Sequence, residues 1–238
     1  MISIIIPTRN EEKIIAESIR QFTRLSIPHE VIISDDGSTD RTVDVAREEA
    51  HTVLTFEGSV HAIGRARNAG AAVAHGDIFV FVDTDSFFPD AEAFFSHALK
   101  RFAEDPALLA LACPQRVRPE LERLSDKFVY GLDNFFTRTF NNVFQHGAGS
   151  GKCIIARKEA FKRVGGFRED LIFREDADFV KRISRIGKTR YDSTLIAYHA
   201  GRRLHRLGVI RFYYTWILNG LYVVFLDRAH DKEWTPIR

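Results

Sequence analysis

The chain has 238 residues, enough for one large domain with a sizeable core. Its 34 Lys and Arg against 32 Asp and Glu leave a net charge of +2, so no global field points to nucleic acid. Cys113 and Cys153 lie in apolar runs outside any CxxC or Cys/His spacing. That pattern argues against zinc and a disulfide framework, and suits a reduced, cytoplasmic setting.

Met1–Ile6 is apolar but has no basic flank and no cleavage site, so no signal peptide is expected. Ile2–Ile6 reads as a buried strand and Glu11–Arg24 as an amphipathic helix. Val31–Ser34, Thr52–Phe56 and Ile78–Val82 read as strands, with helices over Asp40–Glu49 and Gly64–Ala74. Short apolar runs alternating with helical patterns imply βαβ units and a parallel sheet. Right-handed crossovers bring the C-terminal ends of such strands to one edge, where open α/β sheets bind ligands. The polar clusters Pro7–Glu12, Asp35–Asp40 and Asp83–Ser86 are therefore expected to converge.

The second half has another rhythm. Leu108–Val117 reads as one long strand or a strand pair, and Glu120–Phe144 as a long helix. Leu121, Leu124, Phe128, Leu132, Phe135 and Phe136 recur there at i, i+3 and i+4 spacing. A glycine-rich loop, Gly147–Gly151, precedes a strand over Lys152–Ala156 and a short helix over Glu159–Val164. The loop Gly165–Arg174 leads to a helix over Asp176–Ile186, strands near Thr189–Tyr191 and Leu195–Tyr198, and a last helix over Val209–Asp227. That last apolar run, interrupted by Asn219 and Gly220, falls short of the roughly 20 residues a spanning helix needs.

Asp83-Thr84-Asp85 ends the most apolar strand. Two carboxylates at a buried strand end need compensation. A Mg²⁺ or Mn²⁺ ion carrying a diphosphate would supply it; a solvated turn before a helix would make it unnecessary. In Asp35–Asp40, Gly37 permits the turn and Thr39 or Asp40 can cap the next helix. Asp36 is left able to accept hydrogen bonds from a base or a ribose. Pro7–Glu12, which includes Arg9, lacks the G-x-G-x-x-G of a dinucleotide site and offers polar groups, or simply a helix entry.

These segments, taken in order with Ala66-Arg67-Asn68-Ala69-Gly70, Val164-Gly165-Gly166-Phe167 and Glu175-Asp176-Ala177-Asp178-Phe179, closely resemble family 2 glycosyltransferases of the GT-A fold over roughly residues 1–200. The resemblance implies a Rossmann-like, mostly parallel sheet flanked by helices. It also implies a nucleotide-diphosphate sugar donor and a divalent cofactor, Mn²⁺ or Mg²⁺. By that resemblance Pro7, Thr8 and Glu11 line the nucleoside pocket, Asp36 binds the base, and Arg67 and Asn68 face the donor. Asp83 approaches the ribose or sugar, and Asp85 ligates the metal together with the late histidine His199, with His205 close by. Asp176, beside Glu175, is the general base. One base opposite one leaving-group metal implies a single displacement with inversion. Residues 1–117 would form the nucleotide-sugar half, 118–200 the acceptor half, and 201–238 a basic segment with an aromatic helix.

Further substrate contacts are expected at Arg9, Thr84, Glu175 and Gly149, the last in a loop that could equally serve only to turn the chain. The Gln-x-x-Arg-Trp motif of processive synthases is missing from Gly201–Arg206, so one transfer rather than polymerisation is expected. Arg202 and Arg203 could clamp a phosphate. With Arg206, Arg211 and the aromatic helix, they fit either a core-packed terminal helix or one lying on anionic lipid at the inner face of the plasma membrane. The acceptor, a glycan or a lipid-linked group, has no signature. Two rival readings are a nucleotidyltransferase, whose Gly-rich basic loop is absent from Pro7–Glu12, and a non-catalytic nucleotide-sugar-binding protein.

Overall fold

A computed structural model describes residues 1–56 and 62–226. The strands are β1 (Ile2–Thr8), β2 (His29–Asp35), β3 (Thr52–Thr55), β4 (Ile78–Val82), β5 (Leu108–Ala112), β6 (Gln115–Val117), β7 (Cys153–Arg157), β8 (Lys188–Tyr191) and β9 (Ala197–His199). The helices are α1 (Ile15–Arg20), α2 (Thr42–Glu49), α3 (Ile63–Val73), α4 (Ala91–Glu104), α5 (Leu124–Asn142), α6 (Lys158–Val164), α7 (Glu175–Ser184) and α8 (Arg202–Leu226).

Seven strands form one sheet in the order β3-β2-β1-β4-β7-β5-β8. Every residue of β1 and β4 is buried, because helices cover both faces of the sheet. The sheet is mostly parallel, and β7 alone runs antiparallel to both its neighbours. The reversal has a direct consequence. The edge carrying the C-terminal ends of β1, β2 and β4 also receives the chain entering β7, namely Gly151 and Lys152.

The run Leu108–Val117 divides in two. β5 joins the main sheet, whereas β6 pairs in parallel with β9 in a second, two-stranded sheet. A bridge between Phe87 and Tyr198, bonded through both backbones at 2.8 and 3.0 Å, holds His199 close to the end of β4. α1 is shorter than the periodicity of Glu11–Arg24 suggests. The last helix begins earlier than expected, at Arg202, and bends at Gly208 (φ 73°, ψ 162°). Its expected end, Asp227, lies outside the described residues.

Under the site, Phe79, Phe81, Phe161, Phe167 and Phe179 interlock, with Phe167 stacked on Phe179 at 4.1 Å. This cluster ties the loop before α7 to the sheet. The apolar periodicity of α5 does not mark a core face: Leu124, Phe128, Phe135 and Phe136 are exposed, while Asp126 and Asn141 are buried.

Candidate active site

An alternating chain of charges runs along the sheet edge. Glu11 accepts two hydrogen bonds from Arg202, each 3.2 Å, and Arg202 Nη2 lies 3.5 Å from Asp85 Oδ2. Lys152 Nζ lies 3.0 Å from Asp85 Oδ1 and 3.1 Å from Asp83 Oδ2. The Arg67 guanidinium then joins Asp83 (2.9 Å) to Glu175 (2.8 Å). Seven residues from the β1, β4, α3, β7, α7 and α8 segments thus share one network. The strand-end carboxylates, expected from the sequence to need compensation, have it here from side-chain cations.

Arg67 is 1% exposed and lies over the Phe167 ring at 5.1 Å. A cation that deeply buried is tolerated because the Asp83 carboxylate neutralises it and Glu175 accepts another of its hydrogen bonds. Gly151 makes room for it: a Cβ there would collide with Arg67 Nη2 and stand 3.4 Å from Asp83 Oδ1. The Gly151 amide donates to Asp176 Oδ2 at 2.6 Å. Asp176 is thereby held one residue from Lys152, across the loop from Asp83 and Asp85.

Electrostatics follow the geometry. Burial opposes ionisation of Asp85, but Lys152 and then Arg202 hold its carboxyl well below the usual range. Burial, reinforced by Asp176, pushes Glu175 up to about 8, with Arg67 pulling the other way. Burial and then Lys152 drive His199 down to about 3, so its ring is neutral.

Several of the expected site residues also bond to the scaffold. Asn68 brackets Phe167 through N–H and C=O (2.8 and 2.9 Å) and donates to Glu169, fixing the loop before α7. Thr84 is buried, donating to the Pro7 carbonyl at 3.0 Å and lying 3.3 Å from the Thr8 hydroxyl, so it locks β1 to β4. Gly149 packs on α7, where a Cβ would meet Val180 at 2.7 Å. The glycine against the network is Gly151. Arg203 lies over the Phe173 ring at 5.2 Å, a contact with the loop before α7. Asp36 is buried beside Thr8, its amide donating to the Thr8 carbonyl at 2.9 Å, and Arg9 is half-buried at the end of β1. A small cleft of about 120 Å³ opens beside Asp85, lined also by Thr84, Ser86, Arg118 and Arg202.

His205 bonds Asp126 at 2.8 Å, whereas the buried Nε2 of His199 has no hydrogen-bond partner. A carboxylate oxygen of Asp85 is a donor that Mn²⁺ and Mg²⁺ both accept, and an imidazole nitrogen suits a transition ion such as Mn²⁺ better than Mg²⁺, so the residues fit Mn²⁺ in type. Two adjustments would accompany it. Lys152 would have to leave Asp85. The Gly201 amide, now donating to His199 Nδ1 at 3.0 Å, would have to turn so that the ring proton can move to Nδ1. Among the described residues no three His, Cys, Asp or Glu side chains form a metal-binding group.

Such a fold and edge define the GT-A class, and residues 3–165 match the family Glycosyl transferase family 2. The chain belongs to that family. It is 36% identical over 176 residues to the 4,4'-diaponeurosporenoate glycosyltransferase of Staphylococcus aureus, a match covering 70% of this chain and 46% of that protein. It is 30% identical over 141 residues to the validoxylamine A glucosyltransferase of Streptomyces hygroscopicus, covering 54% and 33%. The chain thus spans less than half the length of these relatives. Among solved structures it superposes on the mannosyltransferase PcManGT of Pyrobaculum calidifontis, in complex with GDP-Man and Mn²⁺ (TM-score 0.66, 24% identity, 84% of this chain and 56% of that one). It also superposes on TarS of S. aureus in complex with UDP-GlcNAc (TM-score 0.66, 22% identity, 83% and 57%).

Proposed function

We propose that this chain transfers a single sugar from a nucleotide-diphosphate sugar to an acceptor hydroxyl or phosphate, with inversion. The observation that carries this reading is the separation of labour across Gly151. Its amide holds Asp176 on one side, and the next residue, Lys152, faces Asp83 and Asp85 on the other. Asp176 takes the acceptor proton through a carboxylate oxygen. Asp36, Thr8 and Glu11 hold the nucleoside, and Lys152 and Arg202 face the departing diphosphate. Asp85 and His199 would hold a divalent ion whose chemistry is to stabilise the leaving phosphates without proton transfer. GDP-Man and UDP-GlcNAc, the ligands in the two superposed structures, support a donor of this class.

The test is a panel of nucleotide sugars screened with Mn²⁺ for thermal stabilisation and nucleoside diphosphate release. One donor should raise the melting temperature and release its diphosphate slowly by hydrolysis. Release of pyrophosphate from a nucleoside triphosphate supplied with a sugar 1-phosphate would instead establish a nucleotidyltransferase, and stabilisation without turnover a binding protein.

A further inference from the structure

We propose that the outer faces of α5 and α8 dock this chain on an anionic bilayer surface. α5 buries Val129 and Tyr130 but turns most of its apolar side chains outward. Its outward side carries Leu124, Phe128, Phe135, Phe136, Phe140 and Val143; Leu124 is 85% exposed and Phe128 67%. The stripe runs about 30 Å at 1.5 Å per residue, far more apolar surface than a water-facing helix normally shows. α8 adds Ile210 (88% exposed), Tyr214, Trp216 and Ile217.

Polar residues on the inner side of α5 fix this orientation. Asp126 bonds His205, and Asn134 bonds both the amide and the carbonyl of Gln115 at 3.1 and 2.9 Å. Asn141 donates to the Ala148 carbonyl at 2.7 Å, and Asn142 grips Tyr191 through N–H and C=O. Rotating the helix to hide its phenylalanines would strand all of these groups without partners.

Charge selects the occupant. The exposed ionisable residues on the two helices are cations: Lys127 and Arg138 on α5, Arg206 and Arg211 on α8. Lys127 is paired at 3.5 Å with Glu122, which precedes α5. α8 contains no Asp or Glu, and the two acids of α5 are turned inward, Asp126 to His205 and Asp133 to Gln115. A second copy seated on this face would oppose cation to cation. An anionic headgroup layer would attract them while the aromatic and aliphatic side chains enter the acyl boundary. No helix of the described residues is long and apolar enough to cross a membrane, so this contact is interfacial.

The docking surface rests on observations separate from the catalytic reading, and adds to it. The inner side of α5 presents Tyr130 edge-on to the His199 ring at 4.7 Å, and Arg174, next to Glu175, lies over the Trp216 ring of α8 at 4.7 Å. A bilayer on the outer face would thus lie about one helix diameter, roughly 10 Å, from the site. An acceptor anchored in lipid would be presented there.

Flotation of the full chain with phosphatidylcholine vesicles, with and without phosphatidylglycerol, tests this. Wild type should rise with the phosphatidylglycerol vesicles and less so at high salt. The combined substitution Phe128→Ser, Phe135→Ser and Phe136→Ser should lose more than about tenfold in partitioning, with melting temperature and donor hydrolysis unchanged. Wild type remaining unbound, the variant floating equally well, or a stable dimer that the same substitutions dissociate would each overturn the proposal. Hydrolysis is read separately: flotation without any donor turnover would support the docking surface and sink the catalytic reading.

Discussion

Lys152 Nζ stands 3.0 Å from Asp85 Oδ1, where its ammonium compensates the carboxylate proposed to ligate a metal. The residue reaches this point because β7 runs backwards beside β4, pairing Cys153 with Val82. On that proposal lysine and metal would compete for one carboxylate. Lys152→Met should raise Mn²⁺ affinity in the absence of donor by about tenfold or more, read by electron paramagnetic resonance of free Mn²⁺. Donor turnover should fall in the same variant. Unchanged metal affinity would show that the ammonium does not guard Asp85.

Arg67 is buried between Asp83 and Glu175. Removing one member of a buried ion network leaves charge uncompensated, typically at about 3–5 kcal/mol. Arg67→Met should therefore lower stability by that order in urea denaturation, beyond any effect on catalysis. A loss under about 1 kcal/mol would mean that the network relaxes or fills with water.

Asp176→Asn keeps an oxygen for the Gly151 amide but cannot take a proton. Transfer to acceptor should fall about 10²–10⁴-fold, while titration of donor gives the same affinity as wild type. Equal loss of both would assign Asp176 a structural role.

Burial pushes the carboxyl of Asp133 up to about 6, the hydrogen bond from Gln115 opposing it and the charge of Asp176 adding to it. The folded state holds this proton where the unfolded chain, ionising near the ordinary 3.8, does not. The stabilisation is full below that value and is lost as pH rises towards 6. Asp133→Asn should accordingly raise the melting temperature at neutral pH, and the advantage should vanish below about pH 4. The side chain is half-buried, so screening limits the gain to about 2 kcal/mol at most. A constant difference across that range would contradict the assignment.

The edge formed by β1, β2 and β4 was legible because each strand is a short apolar run followed by a polar, acid-bearing cluster. Parallel pairing then forces those ends together. The reversal of β7 was not legible, since an antiparallel strand buried on both faces has the same apolar signature. With it went Lys152, whose one sequence signal is a lone cation directly before a buried run. Asn68 and Thr84 carry motif positions yet spend their hydrogen bonds on the scaffold, a distinction that only coordinates reveal. In α5 the periodicity identified the helix correctly but not the face that is buried, because the buried side mixes Val129 and Tyr130 with hydrogen-bonding Asp and Asn.

The most direct test of a shared nucleotide-sugar site is calorimetric titration of the nucleoside diphosphate identified by the donor screen, with Mn²⁺, into wild type, Asp36→Ala and Asp85→Asn. Each variant should lose more than about tenfold in affinity, at least about 1.4 kcal/mol, and Asp85→Asn should also lose the dependence on Mn²⁺. Binding indifferent to both substitutions, or no binding by wild type, would contradict it.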